Sequence, residues 1–254
     1  MNAALLSIVL PAFFAGLLVL ASHVPLGREV LRRGIIFIDL AIAQMAGLGI
    51  LLASAMGIDS HGWEIQLVAL TGGLVGAFLL SRMEKQAGRF QEALIGVVFV
   101  LAATAAILLL AHHPHGGEQL KDLLNGQIVW VEWQQLWPVG LIGAVVLTII
   151  QWRPHWLSRK YFYFFFAVAI TQSVQLLGVY LVFASLILPA LASHRFAGNR
   201  GIALGVAAGA LAYATGLSAS VLFDLPSGAV IVWSLAVITL PLTVLLRKRV
   251  AAAD

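Results

Sequence analysis

The chain has 254 residues, 61% of them hydrophobic and only 10% charged, with a mean hydropathy of +0.98. That is too little charge for a water-facing shell, where roughly a quarter to a third of the surface is Lys, Arg, Glu or Asp. Cysteine is absent, which excludes a disulfide framework and a thiolate metal site.

A bilayer core of about 30 Å takes roughly 20 residues of helix. Apolar stretches suited to that crossing recur at 4–22, 35–56, 65–81, 92–111, 136–151, 161–177, 178–193, 201–222 and 228–246. This predicts an all-α polytopic bundle of about nine spans in one permease domain, 1–254, since no polar linker divides the chain. The first stretch lacks the basic start and small-residue end of a cleaved signal, so it reads as a retained helix. A basic turn follows, with Arg28, Arg32 and Arg33, and His23 falls beside it.

The second span carries Asp39, the one charged side chain that this placement puts inside a stretch and not at its first residue. A carboxylate there is expensive and belongs on a bundle-facing or wet surface, as part of a substrate path. The structural alternative is a helix cap, or a pair with Arg32 or Arg33 near the surface. Gln44 follows, about 140° around the helix from Asp39, whereas Ala43 shares the Asp39 face. In the third span Gly72, Gly73 and Gly76 read as a close-packing stripe.

After the fourth span, the loop 112–135 holds His112, His113 and His115 with Glu118 and Asp122. Imidazole and carboxylate suit divalent transition metals, so the three histidines are candidate, loosely held metal ligands. Trp130, Trp133 and Trp137 read as an interfacial aromatic belt. The run 161–193 has no charge, and as one helix it would be about 50 Å long and overshoot the bilayer. A break near Gln175 to Gly178 turns it into two short spans. Thr171, Gln172 and Gln175 form a polar patch before that break, either interhelical hydrogen-bonding groups or neutral ligands along a substrate path. Gly201, Gly205, Gly209, Ala212 and Gly216 then repeat at near-helical spacing, as expected of a helix packed closely on a neighbour.

The net charge of +4 would suit a nucleic-acid partner in a soluble protein, but its distribution points to a bilayer. With the spans above, 14 of the 15 Lys and Arg residues fall on one side, and only Lys121 falls on the other. By the positive-inside rule the basic side is cytoplasmic, with the N-terminus outside and the C-terminus inside an energised plasma or inner membrane. No phosphate-binding Gly-Lys-Ser/Thr loop, zinc-protease motif or nucleophile elbow is present, so no enzymatic activity is expected of this chain.

Four stretches, in order, resemble the permeases of ATP-binding-cassette (ABC) importers for zinc and manganese. They are Pro25-Leu26-Gly27 with Arg32-Arg33 and Phe37-Ile38-Asp39 leading to Gly49, and Leu123-Leu124-Asn125-Gly126-Gln127. The others are the run from Gly178 through Pro189 to Ala192, and Asp224-Leu225-Pro226-Ser227-Gly228. The resemblance implies inward movement of a divalent cation by alternating access, with the metal as substrate and no bound cofactor. It implies as partners a separate cytoplasmic ATPase, an external metal-binding protein and a second permease copy. Asp39 matches the family's intramembrane aspartate, but the histidine that usually follows it by four is Ala43 here. The family's cytoplasmic coupling loop corresponds to only Trp152–Lys160. ATPase contact is therefore expected from Arg153, Arg159 and Lys160, or from His194 and Arg195 in the turn 194–200. An ATPase-independent transporter or channel, or a non-transporting partner subunit, remain alternatives on this scaffold.

Overall fold

A computed structural model describes residues 3–56, 63–111, 113, 116–152 and 161–251. Among them are ten α-helices and no strand: α1 (Ala3–Arg33), α2 (Ile38–Ala55), α3 (Trp63–Ala87), α4 (Gln91–Leu110), α5 (Gly116–Asn125), α6 (Leu136–Trp152), α7 (Phe162–Leu177), α8 (Val179–Ser193), α9 (Gly198–Phe223) and α10 (Ser227–Ala251). Six of them, α1 to α4, α9 and α10, are long and apolar enough to cross a membrane; α6, α7 and α8 are shorter apolar helices.

The first helix is longer than its apolar stretch 4–22 and runs unbroken to Arg33, through Pro11 and Pro25. Pro25 removes a single backbone hydrogen bond. Burial of Val24, Leu26 and Val30 on both sides of it keeps the helix going. His23 is accordingly buried inside the bundle instead of lying beside a basic loop. Its Nδ1 is 3.0 Å from Ser22 Oγ, whose hydroxyl donates to the Val19 carbonyl.

The uncharged run 161–193 breaks as expected. α7 ends at Leu177, Gly178 takes φ 78°, and α8 starts at Val179. The glycine stripe of α9 also packs as read: a methyl at Gly205 would come within 2.7 Å of Val24, and one at Gly209 within 2.6 Å of Leu20, both on α1. Gly72 and Gly76 seat α3 on α2 in the same way, against Met45. Large side chains such as Leu108 and Trp233, 74% and 73% exposed, point out of the bundle where lipid tails are their natural solvent.

The stretch 112–135, expected to be a loop, is partly helical among its described residues. It contains α5 and two short 3-10 turns, at Ile128–Trp130 and Trp133–Gln135. Leu123 of α5 seats on Gly47 of α2, which ties this segment to the bundle.

The buried Tyr213 of α9 places its hydroxyl 2.7 Å from Ser185 Oγ on α8, with its ring against Gly16 of α1. Tyr213→Phe would leave the Ser185 hydroxyl without this partner. The expected cost is about 1–2 kcal/mol, read as a lowered thermal midpoint in detergent.

Candidate functional site

Asp39 sits in the first turn of α2 and is 1% exposed. A helix N-terminus carries partial positive charge, which partly offsets the burial of a carboxylate there. Neither Asp39 oxygen has a hydrogen-bond partner of normal geometry, and the nearest donors are the amides of Asp39 and Leu40 themselves. The residue does not cap α2: Phe37 is at the cap position, and no side-chain cap bond forms. Nor does it pair with the arginines. Arg32 and Arg33 both bind Glu29, at 2.6 and 2.8 Å, and Arg33 also reaches Glu84 of α3 at 3.4 Å.

A second acid, Glu92, stands in the neighbourhood of Asp39, in the first turn of α4. Glu92 Oε1 accepts from the Phe37 amide at 3.1 Å, and its buried Oε2 has no partner. Two carboxylates thus stand at helix starts that the Phe37–Glu92 bond ties together, where like charges repel unless a cation or proton lies between them. Sequence reading missed Glu92 because it falls at a span boundary on a different helix. Its place beside Asp39 depends on how α2 and α4 pack.

At the other end of α2 lies a chamber of about 480 Å³. Ala46, Gly47, Ile50 and Ser54 of α2 form one wall; Gln119 and Asp122 of α5, with Gln127, Gln135, Thr171 and Gln175, supply its polar groups. Thr171 Oγ1 and Gln175 Nε2 are buried with no hydrogen-bond partner. Thr171 is further fixed by Gly73 of α3, which leaves room for its hydroxyl and nothing larger. The chamber wall and Asp39 share one face of α2, because 39, 43, 46, 50 and 54 recur at helical spacing. From Ala46 to Asp39 is about 10 Å along the axis. Ala43, 1% exposed, closes the way between them.

The other expected residues are placed apart from this line. Gln44 is buried and Gln172 half-buried, but neither lines the chamber. His113 is exposed at the end of α4, while His112 and His115 lie outside the described residues. Among the described residues no group of three or more His, Cys, Asp or Glu side chains could hold a metal ion. Arg153, Arg159 and Lys160 also lie outside them, whereas His194 and Arg195 are exposed on the turn between α8 and α9.

Three of the four sequence motifs converge beside the chamber. A methyl on Gly126 (φ 65°) would overlap the backbone of Leu177 and Gly178, and one on Gly178 would overlap Gly126 and Asn125. A methyl on Gly228 would come within 2.8 Å of the Asn125 carbonyl. The end of α5 is thus wedged, backbone against backbone, at the α7–α8 break and the start of α10.

This bundle can be compared with known proteins. The family profile described as the ABC 3 transport family matches residues 6–159 and 155–246. The chain belongs to the ABC 3 transport family. The manganese transport system membrane protein MntC of Listeria monocytogenes is 22% identical over 228 residues, 82% of this chain and 79% of that protein. MntC of Halalkalibacterium halodurans is 25% identical over 82% of this chain and 76% of its own length. Among solved structures, PsaBC from Streptococcus pneumoniae in complex with Fab superposes with a TM-score of 0.70 at 20% identity, covering 95% of this chain and 91% of that one. The likeness of fold to that structure therefore extends over nearly the whole chain.

Proposed function

We propose that this chain is the membrane-spanning subunit of a manganese ABC importer, and that its cation moves from the α5 chamber along the Asp39 face of α2 to the Asp39–Glu92 pair. The observation that carries this reading is the buried Asp39 carboxylate, without a hydrogen-bond partner of normal geometry and with a second acid at the neighbouring helix start, on the helix face that lines the chamber. Two carboxylates match the charge of one divalent cation, and their free oxygens are ready ligands.

The ligand types set the choice of ion. The histidine position of the family is Ala43, and the chain has no cysteine, so oxygen donors dominate the path. Carboxylate, amide and water oxygens suit manganese and magnesium, whereas zinc gains most from imidazole and thiolate. The names of the MntC relatives agree with manganese.

In this reading the nine apolar helices are nine crossings, with the basic end cytoplasmic, the N-terminus outside and α5 on the outer face. An external metal-binding protein delivers the ion there. A cytoplasmic ATPase binds at the basic end. Two copies of the permease surround the path in the cell membrane.

Competition during ATP-driven uptake tests the ion assignment. With the assembled importer in proteoliposomes and labelled Mn²⁺ as substrate, half-inhibition is expected to take at least as much Zn²⁺ as unlabelled Mn²⁺. Zinc acting at a tenfold lower concentration would overturn the oxygen-donor assignment.

A further inference from the structure

Oxygen donors suit manganese and magnesium alike, so the donor set of the path leaves these two ions unsorted. The chamber and the stretch beyond it differ in a way that sorts them. Among the chamber's lining residues Asp122 is the one carboxylate, and none is a histidine or cysteine. Its other polar groups are neutral: Gln119, Gln127, Gln135 and Gln175, with Ser54 and Thr171. A bare divalent cation asks for about six close oxygen ligands, which a single carboxylate and amides spread over several helices do not gather. A cation that keeps its water is the better match. About six waters at their liquid volume fill roughly 180 Å³, which the chamber of about 480 Å³ accommodates.

Water bound to a metal turns its hydrogens outward and needs acceptors. Thr171 Oγ1 is one: it has no hydrogen-bond partner, on a side chain that is fully buried. Gln175 lies one helical turn further along α7, on the same face. Its amide is also open, with Nε2 buried and unpartnered, and a half-turn of the amide brings the carbonyl oxygen to the same place.

The way from the chamber to Asp39 is dry by comparison. Between them the Asp39 face of α2 offers the methyl groups of Ala46 and Ala43, 2% and 1% exposed, with Ile42 fully buried beside them. A hydrated ion finds no side-chain acceptor for its water on that face. Magnesium dehydrates reluctantly and keeps several waters at protein sites. Manganese, a larger ion, releases them more readily.

We propose that the chamber holds the cation with its water shell, through Thr171 and Gln175, and that loss of this shell on the way past Ala43 separates Mn²⁺ from Mg²⁺. Mg²⁺ then occupies the chamber and goes no further. This inference rests on the reading of the chain as a manganese importer subunit.

The assembled importer in proteoliposomes tests it, with Mg-ATP on the ATPase side and MgCl₂ varied on the outer side. External Mg²⁺ is expected to raise KM for labelled Mn²⁺ without lowering kcat, while labelled Mg²⁺ itself enters at less than about a tenth of the Mn²⁺ rate. Thr171→Val and Gln175→Leu are each expected to raise KM for Mn²⁺ and the inhibition constant of Mg²⁺ together, by about fivefold, the loss of one ordinary hydrogen bond, with kcat within about twofold. Thr171→Ser keeps the hydroxyl and is expected to keep both constants. Labelled Mg²⁺ carried as fast as Mn²⁺ would overturn the dehydration step. A KM for Mn²⁺ that a large excess of Mg²⁺ leaves unmoved would overturn the hydrated hold in the chamber. A lower kcat at unchanged KM in Thr171→Val, in proportion to the amount of assembled complex, would show a packing role and overturn the holding role of Thr171. Absence of any ATP-driven Mn²⁺ uptake in the unaltered importer would instead overturn the importer reading itself.

Discussion

Asp39→Ala is expected to reduce cation uptake by roughly two to three decades while leaving the bundle as stable as before, or more so. The two effects have opposite signs because the carboxylate serves the ion and not the fold. Asp39 is 1% exposed, has no hydrogen-bond partner of normal geometry and has another acid at the neighbouring helix start. Placing such a group at the centre of a membrane helix costs about 2.5–3.5 kcal/mol even on the lenient insertion scale, and less in a first turn such as that of Asp39. Alanine removes that cost. With the cation bound, Asp39 becomes half of a buried ion pair, and breaking such a pair costs about 3–5 kcal/mol, which is at least two decades in affinity. Glu92→Gln should behave alike, and because the two acids act on one ion, the double variant should be little worse than either single one. Labelled Mn²⁺ uptake beside a thermal melt in detergent reads both signs. An Asp39→Ala protein that transports normally, or one that loses transport only because it fails to fold, would remove Asp39 from the path.

The second large effect is expected at the glycine wedge. Gly178→Ala should destabilise the bundle by about 3 kcal/mol or more, and Gly126→Ala similarly. At both positions φ is positive, 78° and 65°, where a side chain costs about 1–2 kcal/mol on backbone grounds alone. A methyl at either would also overlap the backbone of the facing segment, which cannot move aside as a flexible side chain can. Gly96→Ala is the control. It lies in α4 with nothing within 4 Å of an added methyl, so alanine should be neutral or stabilising by a few tenths of a kcal/mol. Thermal midpoints of the three purified variants decide the matter. Equal midpoints for Gly178→Ala and Gly96→Ala would mean that the wedge is not a fixed contact.

What could be read without the structure was whatever a single element carries. The charge-free run 161–193 was too long for one span, so its break at Gly178 followed from length. The α9 glycines announced a close-packed face by their spacing alone. Asp39 stood out because a lone acid in an apolar stretch is costly wherever the helix packs. What could not be read was what depends on two elements meeting. Glu92 sits at the start of a helix, an ordinary place for an acid, and only the packing of α2 beside α4 makes it a partner. The convergence of Gly126, Gly178 and Gly228 likewise joins positions far apart in the chain. Pro25 and Arg28 looked like the exit from the first span. Tertiary burial around Pro25 kept the helix intact, and Arg28 found helix carbonyls in place of water.

Labelled Mn²⁺ uptake into proteoliposomes, measured for this chain alone and for the chain assembled with its ATPase and external binding protein, tests the central claim most directly. The account predicts uptake that requires the assembled complex and ATP and disappears with Asp39→Ala. Equal gradient-driven flux through the chain alone, with no response to ATP, would contradict it.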